Sequence, residues 1–369
     1  MPGLYLEPIG LLYGPVAREA VTLGSALPLA GGSIAFGAVR LWEGEPGNIK
    51  HAVVRTNTIQ AIDDPRVKEL LDRIVSPRAP VAAISMDSPR VMGIVNVTPD
   101  SFSDGGDHYD SRAAVRHAAS LVSEGADLID IGGESTRPGS EPVSVEEELR
   151  RVMPVLQELR GCPIPISIDT RKPEVMRQAV EAGAAMINDV SALTFSRDSC
   201  GIAAGLGKPV ILMHSKGDPK TMQDNPSYRD VVIEVYDFLE SRIEAAVAEG
   251  VPRNQLIVDP GIGFGKSSAH NLSLLKSISL FHGLGAPVLT GTSRKRFIGK
   301  LGGTQEPKER VGASIAAALD CVSQGVQMVR VHDIGATRQA LSFWKSLRGL
   351  EAITGEASQL DVNKAESAR

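Results

Sequence analysis

The chain has 369 residues, enough for one large barrel with an addition, and its 39 basic and 44 acidic residues give a net charge of −5 that argues against general binding to nucleic acid. Hydrophobic residues make up 42% of the sequence and aromatic residues only 4%, which predicts an aliphatic core. The three cysteines, Cys162, Cys200 and Cys321, form no CxxC pair, and this favours reduced thiols in a cytoplasmic protein over a disulfide framework or a zinc site.

Neither a secretory signal nor a membrane span is expected near the N-terminus. No basic stretch precedes an apolar core there, because the first cation is Arg18. Residues 20–39 carry no charge, but they contain Pro28 and four glycines, which do not suit a membrane-spanning helix. We therefore expect a soluble cytoplasmic protein.

The first 85 residues do not follow the regular pattern of the rest. LYLEPIGLLYG and SIAFGAVRLW predict short strands, apolar residues at helical spacing predict one amphipathic helix over 65–75, and residues 76–80 resemble a linker. We interpret residues 1–85 as an N-terminal α+β accessory extension and find no chemical motif in it. A dimerisation or partner surface, a remnant of another activity and a cap on the barrel bottom remain open as its role.

From Val91 onward, strand-like and helix-like segments alternate. The predicted strands cover 91–97, 128–132, 164–169, 186–189, 210–214, 256–259, 288–291 and 328–332. The predicted helices cover 111–124, 144 onward, 173–182, 198–206, 227–249, 268–281, 307–324 and a last segment that ends near Gly349. Eight such units in residues 86–350 predict an α/β fold of the (β/α)8 TIM-barrel type.

The runner-up fold is an open doubly wound sheet, which is disfavoured because no GxGxxG turn follows the first strand. The polar, charged and aromatic-free segment 351–369 is predicted to be a flexible C-terminal tail.

The predicted strands all end in polar or ionisable residues, and in such barrels the carboxyl ends of the strands form the active site. Asp169, Asn188 and Asp259 provide groups that can pair with the donor–acceptor edge of a flat heterocycle. Lys295 and Arg330 add positive charge after strands 7 and 8, where barrels commonly bind phosphate. The sequence therefore predicts a pocket for a heterocycle and an anionic leaving group.

Eight motifs in this part of the chain resemble those of the dihydropteroate synthase family. They are GIVNVTPDSFSDGG (93–106), DIGGESTRPG (130–139), SIDTRKP (167–173), INDV (187–190), LMHSKGDPKTMQ (212–223), DPGIGFGK (259–266), GTSRKRFIG (291–299) and RVHD (330–333). The resemblance covers about residues 91–349 and leaves the N-terminal extension outside it.

The resemblance implies a pterin-binding TIM barrel that joins 6-hydroxymethyl-7,8-dihydropterin diphosphate to 4-aminobenzoate by an S_N1-like path. It implies that Asp169, Asn188, Asp259, Lys295 and Arg330 bind the pterin. The implied diphosphate ligands are Asn96, Arg330 and His332, with Asn96 also a ligand of Mg²⁺ as the cofactor. The implied catalytic set is Asn96, Asp100, Thr136, Arg137, Lys295, Arg330 and His332.

The resemblance further implies an aminobenzoate pocket, a homodimer and small-molecule substrates as the partners. The implied pocket residues are Thr136, Arg137, Pro138, Lys295 and Arg296. Family members usually dimerise through barrel helices, so a homodimer is expected unless the extension covers that face. Two departures from the family pattern stand out: Ser215-Lys216 in the fifth loop, and Arg296, which affects the expected aminobenzoate and sulfonamide contacts.

Some residues are expected to have no role in chemistry. His282, together with three other histidines outside the motifs, is expected at the surface, and His214 is either a buried structural residue or part of the site. Glu146, Glu147 and Glu148 are expected to form a solvated first helical turn.

Two other functions remain open from the sequence. A pterin-binding methyltransferase barrel would share the carboxylates, but it has no use for a phosphate-binding set such as Asn96, Arg330 and His332. A catalytically silent paralogue that binds pterin or a partner protein would be expected to have lost Arg137 or Lys295, and both are present.

Overall fold

The computed structural model describes residues 3–98, 111–135, 140–217 and 221–350. Within these ranges, none of the helices is both long enough and apolar enough to cross a membrane. The predicted C-terminal tail, 351–369, lies outside the described residues.

The N-terminal part is a four-stranded antiparallel sheet with three helices. The strands are β1 (Gly3–Tyr13), β2 (Leu27–Pro28), β3 (Ile34–Glu45) and β4 (Asn48–Arg55), and the helices are α1 (Gly14–Thr22), α2 (Thr56–Gln60) and α3 (Pro65–Val75). Strand β3 is central, because it pairs with β1 on one side and with β2 and β4 on the other. The two strands and the helix predicted from sequence are found, whereas α1 and β4 were not predicted.

Helix α3 forms where the sequence pattern places it. Pro65 occupies its first turn, where a missing N–H costs no helical hydrogen bond, and the Asp64 carboxylate caps it by accepting from the Arg66 N–H at 2.8 Å. Its apolar stripe is buried against the sheet. The resulting core comprises Leu6, Leu29, Phe36, Val39, Ile59, Val67, Leu70, Leu71 and Ile74.

This N-terminal sheet packs directly on the second part of the chain. The Tyr5 hydroxyl donates to Asp237 Oδ1 at 2.8 Å, and the Tyr13 hydroxyl donates to the Ser323 carbonyl at 2.8 Å. Arg78 donates to the His282 carbonyl at 3.0 Å, and its side chain is only 9% exposed. Arg78, in the proline-containing segment 76–80, is therefore a buried contact between the two parts of the chain. His282 is fully buried, so its expected surface position was wrong.

The second part is a barrel of eight parallel strands. They are β5 (Arg90–Asn96), β6 (Leu128–Gly132), β7 (Ile166–Asp169), β8 (Met186–Asp189), β9 (Val210–Met213), β10 (Leu256–Asp259), β11 (Leu289–Thr290) and β12 (Met328–Val331). Their order is β10-β9-β8-β7-β6-β5-β12-β11, and a parallel bridge between Val258 and Val288 brings the two ends together. This confirms the predicted (β/α)8 fold.

Nine helices of the described ranges belong to this part. They are α4 (Ser111–Ser123), α5 (Val145–Glu158), α6 (Pro173–Ala182), α7 (Ser199–Leu206), α8 (Val231–Ala248), α9 (Ser268–Lys276), α10 (Arg296–Gly302), α11 (Val311–Ser323) and α12 (Ile334–Leu347). Helix α10 was not predicted. The helix predicted over 268–281 ends at Lys276, and a 3₁₀ segment, Ile278–Leu284, follows it.

The barrel interior is apolar at one end and polar at the other. Seven strand residues fill the apolar end, where Val81 and Met86 pack against them: Met92, Leu128, Met186, Ile211, Ile257, Leu289 and Met328. Successive side chains of a strand point to opposite faces, so the residue two positions later also faces inward. Two positions after Leu128, Met186, Ile257 and Met328 come Asp130, Asn188, Asp259 and Arg330. The register thus gathers four polar residues in one interior layer.

Because the sheet and the barrel share buried contacts, we expect them to unfold together. Trp42 lies in β3 and Trp344 in α12, and they are the two tryptophans of the chain. In each of the variants Trp42→Phe and Trp344→Phe, the urea transition followed by the fluorescence of the remaining tryptophan should coincide with the transition followed by far-UV circular dichroism. Two transitions within one variant would show that the N-terminal sheet unfolds independently of the barrel.

Candidate active site

The interior polar layer is centred on Arg330. Its Nε donates to Asp130 Oδ2 at 2.6 Å, and its Nη2 donates to Asp169 Oδ2 at 2.9 Å. Asp130 Oδ2 also accepts from Asn188 Nδ2 at 2.8 Å. One guanidinium therefore holds two buried carboxylates and, through Asp130, a carboxamide.

The strand register places the residues at the rim of the site side by side on adjacent strands. Asn96 pairs with Gly132, Gly132 with Asp169, and Asp169 with Asn188, in four consecutive parallel strands. The four residues are therefore direct neighbours around the barrel mouth. Three of the residues predicted for the site, Asn96, Asp169 and Asn188, are brought together in this way.

Charge in this layer is only partly balanced. Burial raises the pKa of Asp169 above its ordinary value; the neighbouring Asp130 adds to that rise, and Arg330 opposes it. Within the described part of the chain, Asp130 Oδ1 has no hydrogen-bond partner although it is buried. The layer thus keeps an unused acceptor, and such a group is costly to bury unless a ligand completes it.

Asp259 lies across the barrel and is tied to a glycine-rich turn over 261–265. Its Oδ1 accepts from the Gly261 N–H at 2.7 Å, and burial raises its pKa. The carbonyl of Ile262 in the same turn accepts from Lys295 Nζ at 2.6 Å. Lys295 Nζ also lies 4.0 Å from the centre of the Phe264 ring, a cation–π distance. The turn therefore fixes Lys295 beside Asp259.

Burial also changes the acidity of Lys295. It lowers the pKa of Lys295 to about 7, although the carboxylate of Asp259 opposes this change. A lysine with such a pKa exchanges its proton near neutral pH, which makes it suited to interact with a group whose charge changes in a reaction. The next residue, Arg296, is exposed and begins helix α10.

The ends of strands β11 and β12 meet at Ser293 and His332. Ser293 Oγ lies 3.0 Å from His332 Nδ1 and accepts from the His332 N–H at 3.2 Å. Arg294 binds Asp333 with two hydrogen bonds, of 3.0 and 2.5 Å. His332 is thus oriented by Ser293, whereas Arg330 is engaged by carboxylates deeper in the barrel.

A buried ion network supports the start of the loop after β6. Glu134 accepts from Arg171 Nε at 3.0 Å, lies 3.2 Å from Lys172 Nζ, and accepts from the Val143 N–H at 3.2 Å. Lys172 also bonds to Glu148, which is fully buried. Glu148 is therefore not part of a solvated turn as expected. Its partner comes from the loop after β7, far away in sequence.

The altered fifth loop donates hydrogen bonds to the backbone of two other segments. Ser215 Oγ donates to the Val190 carbonyl at 3.0 Å, and Lys216 Nζ donates to the Ser227 carbonyl at 2.6 Å. His214, just before them, is 5% exposed and faces Lys266. The departures at 215 and 216 therefore belong to the packing of this loop.

Four predicted site residues lie outside the described residues, namely Asp100, Thr136, Arg137 and Pro138. In contrast, sequence reasoning assigned no role to Asp130, the first residue of the DIGGESTRPG motif. Its position two residues after Leu128, in the same phase as Asn188 and Asp259 in their strands, was the signal that could have identified it.

The ion network yields a stability prediction. Lys172→Met should leave Glu148 as an uncompensated buried charge and cost about 3–5 kcal/mol in the free energy of unfolding, measured in urea. Adding Glu148→Leu should recover most of that loss. A matched control is Arg177→Met, which breaks an exposed ion pair with Glu174 and should cost far less stability than Lys172→Met. Equal losses in the two single variants would contradict the assignment.

Comparisons with known proteins agree with this geometry. Residues 92–332 match the family model described as pterin binding enzyme. The dihydropteroate synthase of Neisseria meningitidis serogroup B is 48% identical over 269 residues, which cover 72% of this chain and 94% of that protein. The Escherichia coli K12 dihydropteroate synthase is 46% identical over 260 residues, which cover 70% of this chain and 92% of that protein.

Solved structures give the same result. The Xanthomonas albilineans dihydropteroate synthase with 4-aminobenzoic acid has a TM-score of 0.69 and 52% identity, and the match covers 73% of this chain and 96% of that one. The same enzyme in complex with 7,8-dihydropteroate has a TM-score of 0.66 and 50% identity, and the match covers 73% and 97% of the two chains. This chain belongs to the dihydropteroate synthase family of pterin-binding enzymes.

Proposed function

We propose that this chain condenses 6-hydroxymethyl-7,8-dihydropterin diphosphate with 4-aminobenzoate and releases 7,8-dihydropteroate and diphosphate. The observation that carries the proposal is the interior layer of Asp130, Asp169, Asn188 and Asp259 around Arg330, in a chain of this family. A methyltransferase or a silent binding paralogue would not require the Lys295 and Arg330 cations beside these carboxylates.

The pterin ring belongs in the polar layer. Its pyrimidine edge carries adjacent N–H donors and a carbonyl acceptor, which match buried carboxylates and a carboxamide. Asp169, Asn188 and Asp259 supply these groups, and the unused Asp130 Oδ1 adds an acceptor at the same depth. Binding there would give Asp130 Oδ1 a hydrogen-bond donor.

The reaction proceeds by departure of diphosphate before the amine attacks. An electron-rich dihydropterin can carry the positive charge left on its CH₂ group, and the buried carboxylates stabilise that charge. Arg330 and His332 neutralise the leaving group, and Lys295, with its pKa lowered to about 7, contacts both the pterin and the aminobenzoate side. The aniline nitrogen of aminobenzoate is already neutral, so its attack needs no strong base.

Mg²⁺ fits this site as an ion that the substrate diphosphate binds together with few protein ligands. Among the residues that the structure describes, no group of three or more His, Cys, Asp or Glu side chains could hold a metal ion by itself. Asn96 offers a carboxamide oxygen at the rim, and Mg²⁺ commonly takes one or two protein ligands with substrate phosphates and water. When bound, the ion would neutralise charge on the diphosphate.

The aminobenzoate side of the site is the loop after β6 together with Lys295 and Arg296. We assign Thr136, Arg137 and Pro138 to this pocket and Asp100 to stabilisation of the cation, as the family pattern implies. Arg296 is exposed at the start of α10, where its guanidinium can meet the aminobenzoate carboxylate.

We extend the proposal to the organisation of the chain. Residues 1–85 form an accessory extension, and residues 86–350 form the catalytic barrel, which acts as a cytoplasmic homodimer. The cytoplasmic assignment is supported by the three cysteines, which are unpaired thiols. The extension covers the 3₁₀ segment Ile278–Leu284, so the dimer would use other barrel helices.

A direct assay tests the proposed function. The purified chain should release diphosphate and form 7,8-dihydropteroate in equal amounts when the pterin diphosphate, aminobenzoate and Mg²⁺ are all present. Pterin binding without either product would indicate a silent paralogue and would refute the proposal.

Asp259→Asn should raise the KM for the pterin diphosphate by at least about tenfold, because a charge-assisted hydrogen bond to the ring is lost. Asparagine keeps the oxygen that caps Gly261, so the turn should persist. The control is Asp320→Asn, the same change at an exposed residue of α11. Steady-state kinetics with each substrate varied would check this, and an unchanged KM would remove Asp259 from the pterin site.

Arg296→Ala should raise the KM for 4-aminobenzoate by about tenfold and leave the KM for the pterin diphosphate unchanged, because one ion pair to the carboxylate is lost. A sulfonamide inhibitor should lose affinity to a smaller extent, since it lacks the carboxylate. If both KM values rise together, Arg296 acts on the fold of α10 and not on aminobenzoate.

A further inference from the structure

We propose that Lys266, which no step of the reaction uses, is a positioning residue that holds the 261–265 turn in the conformation that receives Lys295. The catalytic part assigned to Lys295 rests on the proposed function, whereas the position of Lys295 can be measured without turnover.

Lys266 is a buried lysine surrounded by acceptors, and burial lowers its pKa well below the ordinary value. Its side chain is 3% exposed. Its Nζ lies 2.9 Å from the Gly261 carbonyl, 3.0 Å from the Phe264 carbonyl and 2.8 Å from His214 Nδ1. An ammonium has three donors, so these three acceptors satisfy it when His214 is neutral. Burial first, and then the charge of Lys266, lowers the pKa of His214, which favours that neutral form.

The same turn presents its other side to Lys295. Its Ile262 carbonyl accepts from Lys295 Nζ at 2.6 Å, and its Phe264 ring lies 4.0 Å from that atom. Lys266 therefore donates to the carbonyls of Gly261 and Phe264, which lie one residue before and two residues after Ile262. Without Lys266, the Gly261 and Phe264 carbonyls would lose their hydrogen-bond donor. The turn would then no longer hold the Ile262 carbonyl and the Phe264 ring against Lys295.

The backbone of the turn needs such support. Gly261, Gly263 and Gly265 all have positive φ, at 66°, 87° and 59°. A Cβ on Gly261 would lie 1.8 Å from the His214 carbonyl oxygen, and one on Gly263 would lie 2.9 Å from Lys295 Cδ. The glycines permit this close packing but pay an entropic cost when ordered, which the Lys266 hydrogen bonds offset.

The surroundings of the two lysines determine whether loss of Lys266 raises or lowers the pKa of Lys295. Asp259, Arg330 and Asp169 face Lys295. His214, Asp259, Lys295 and Lys216 face Lys266. Burial is the main cause of the low pKa of Lys295. A loosened turn that admits water to Lys295 therefore raises this pKa toward its ordinary value.

The test measures the pKa of Lys295 in the full-length chain without substrate. Acetylation of Lys295 is followed against pH by peptide mass spectrometry, with Lys300, an exposed residue of α10, as the internal reference. The wild-type midpoint should lie near 7, and Lys266→Met should raise it by at least about one unit. In the turnover assay the same variant should lose at least about tenfold in kcat/KM, whereas Lys300→Met should lose none.

A second pair of variants separates positioning from simple destabilisation. Lys266→Gln keeps two donors and should give a smaller rise of the midpoint, which remains measurable if Lys266→Met does not fold. Phe264→Leu removes the cation–π contact that favours the ammonium form but keeps an apolar side chain, so it should lower the midpoint. It should have no further effect in the Lys266→Met background, where the turn no longer holds the ring against Lys295. A folded Lys266 variant with an unchanged Lys295 midpoint would overturn the inference. An inactive wild-type chain with the expected midpoints would refute the proposed function and leave the inference standing.

Discussion

The site depends on one geometric constraint, the period of two along parallel strands that share a fixed register. Leu128, Met186, Ile257 and Met328 must face inward to fill the apolar end of the barrel. The same constraint forces the residues two positions later to face inward as well. A shift of one residue in any strand would turn its polar side chain out of the pocket. The hydrophobic packing of the barrel thus determines where the chemistry can occur.

Burying so many polar groups has an energetic cost, and each group is compensated by a partner from another strand or loop. Arg330 binds the carboxylates of Asp130 and Asp169, and Lys266 is enclosed by carbonyls and His214. The compensation is incomplete at Asp130 Oδ1, in the part of the chain that the structure describes. A pterin edge could donate to this atom, so the cost of burying it without a partner favours binding.

Local pattern predicted the barrel well because its strands are short, apolar and bounded by turns. The strands 128–132, 186–189 and 256–259 and the helices 65–75 and 173–182 have the predicted bounds. Strand β4 was missed because most of its residues are exposed on both faces, so its sequence shows no alternation. Helix α10 is only seven residues long and contains two glycines, which hides it from a helical pattern.

The motifs named candidate site residues one by one. They did not predict which of these side chains pair with one another. Glu148 is buried because Lys172 binds its carboxylate. His282 is buried because the N-terminal part covers it and contacts it through Arg78. Such partners lie far apart in sequence, and a single chain carries no signal that joins them. The pairing of Asp130 with Asn188 and Arg330 was missed for the same reason, although its inward position could be predicted from the phase of its strand.

The most direct test of the account is a crystal structure of the chain with 7,8-dihydropteroate. The account predicts that the pyrimidine edge of the pterin lies within about 3.2 Å of side-chain atoms of Asp169, Asn188 and Asp259. The pterin should also displace no part of the Arg330–Asp130 contact. A pterin ring found outside the barrel mouth, or bound there without these three residues, would contradict the central claim.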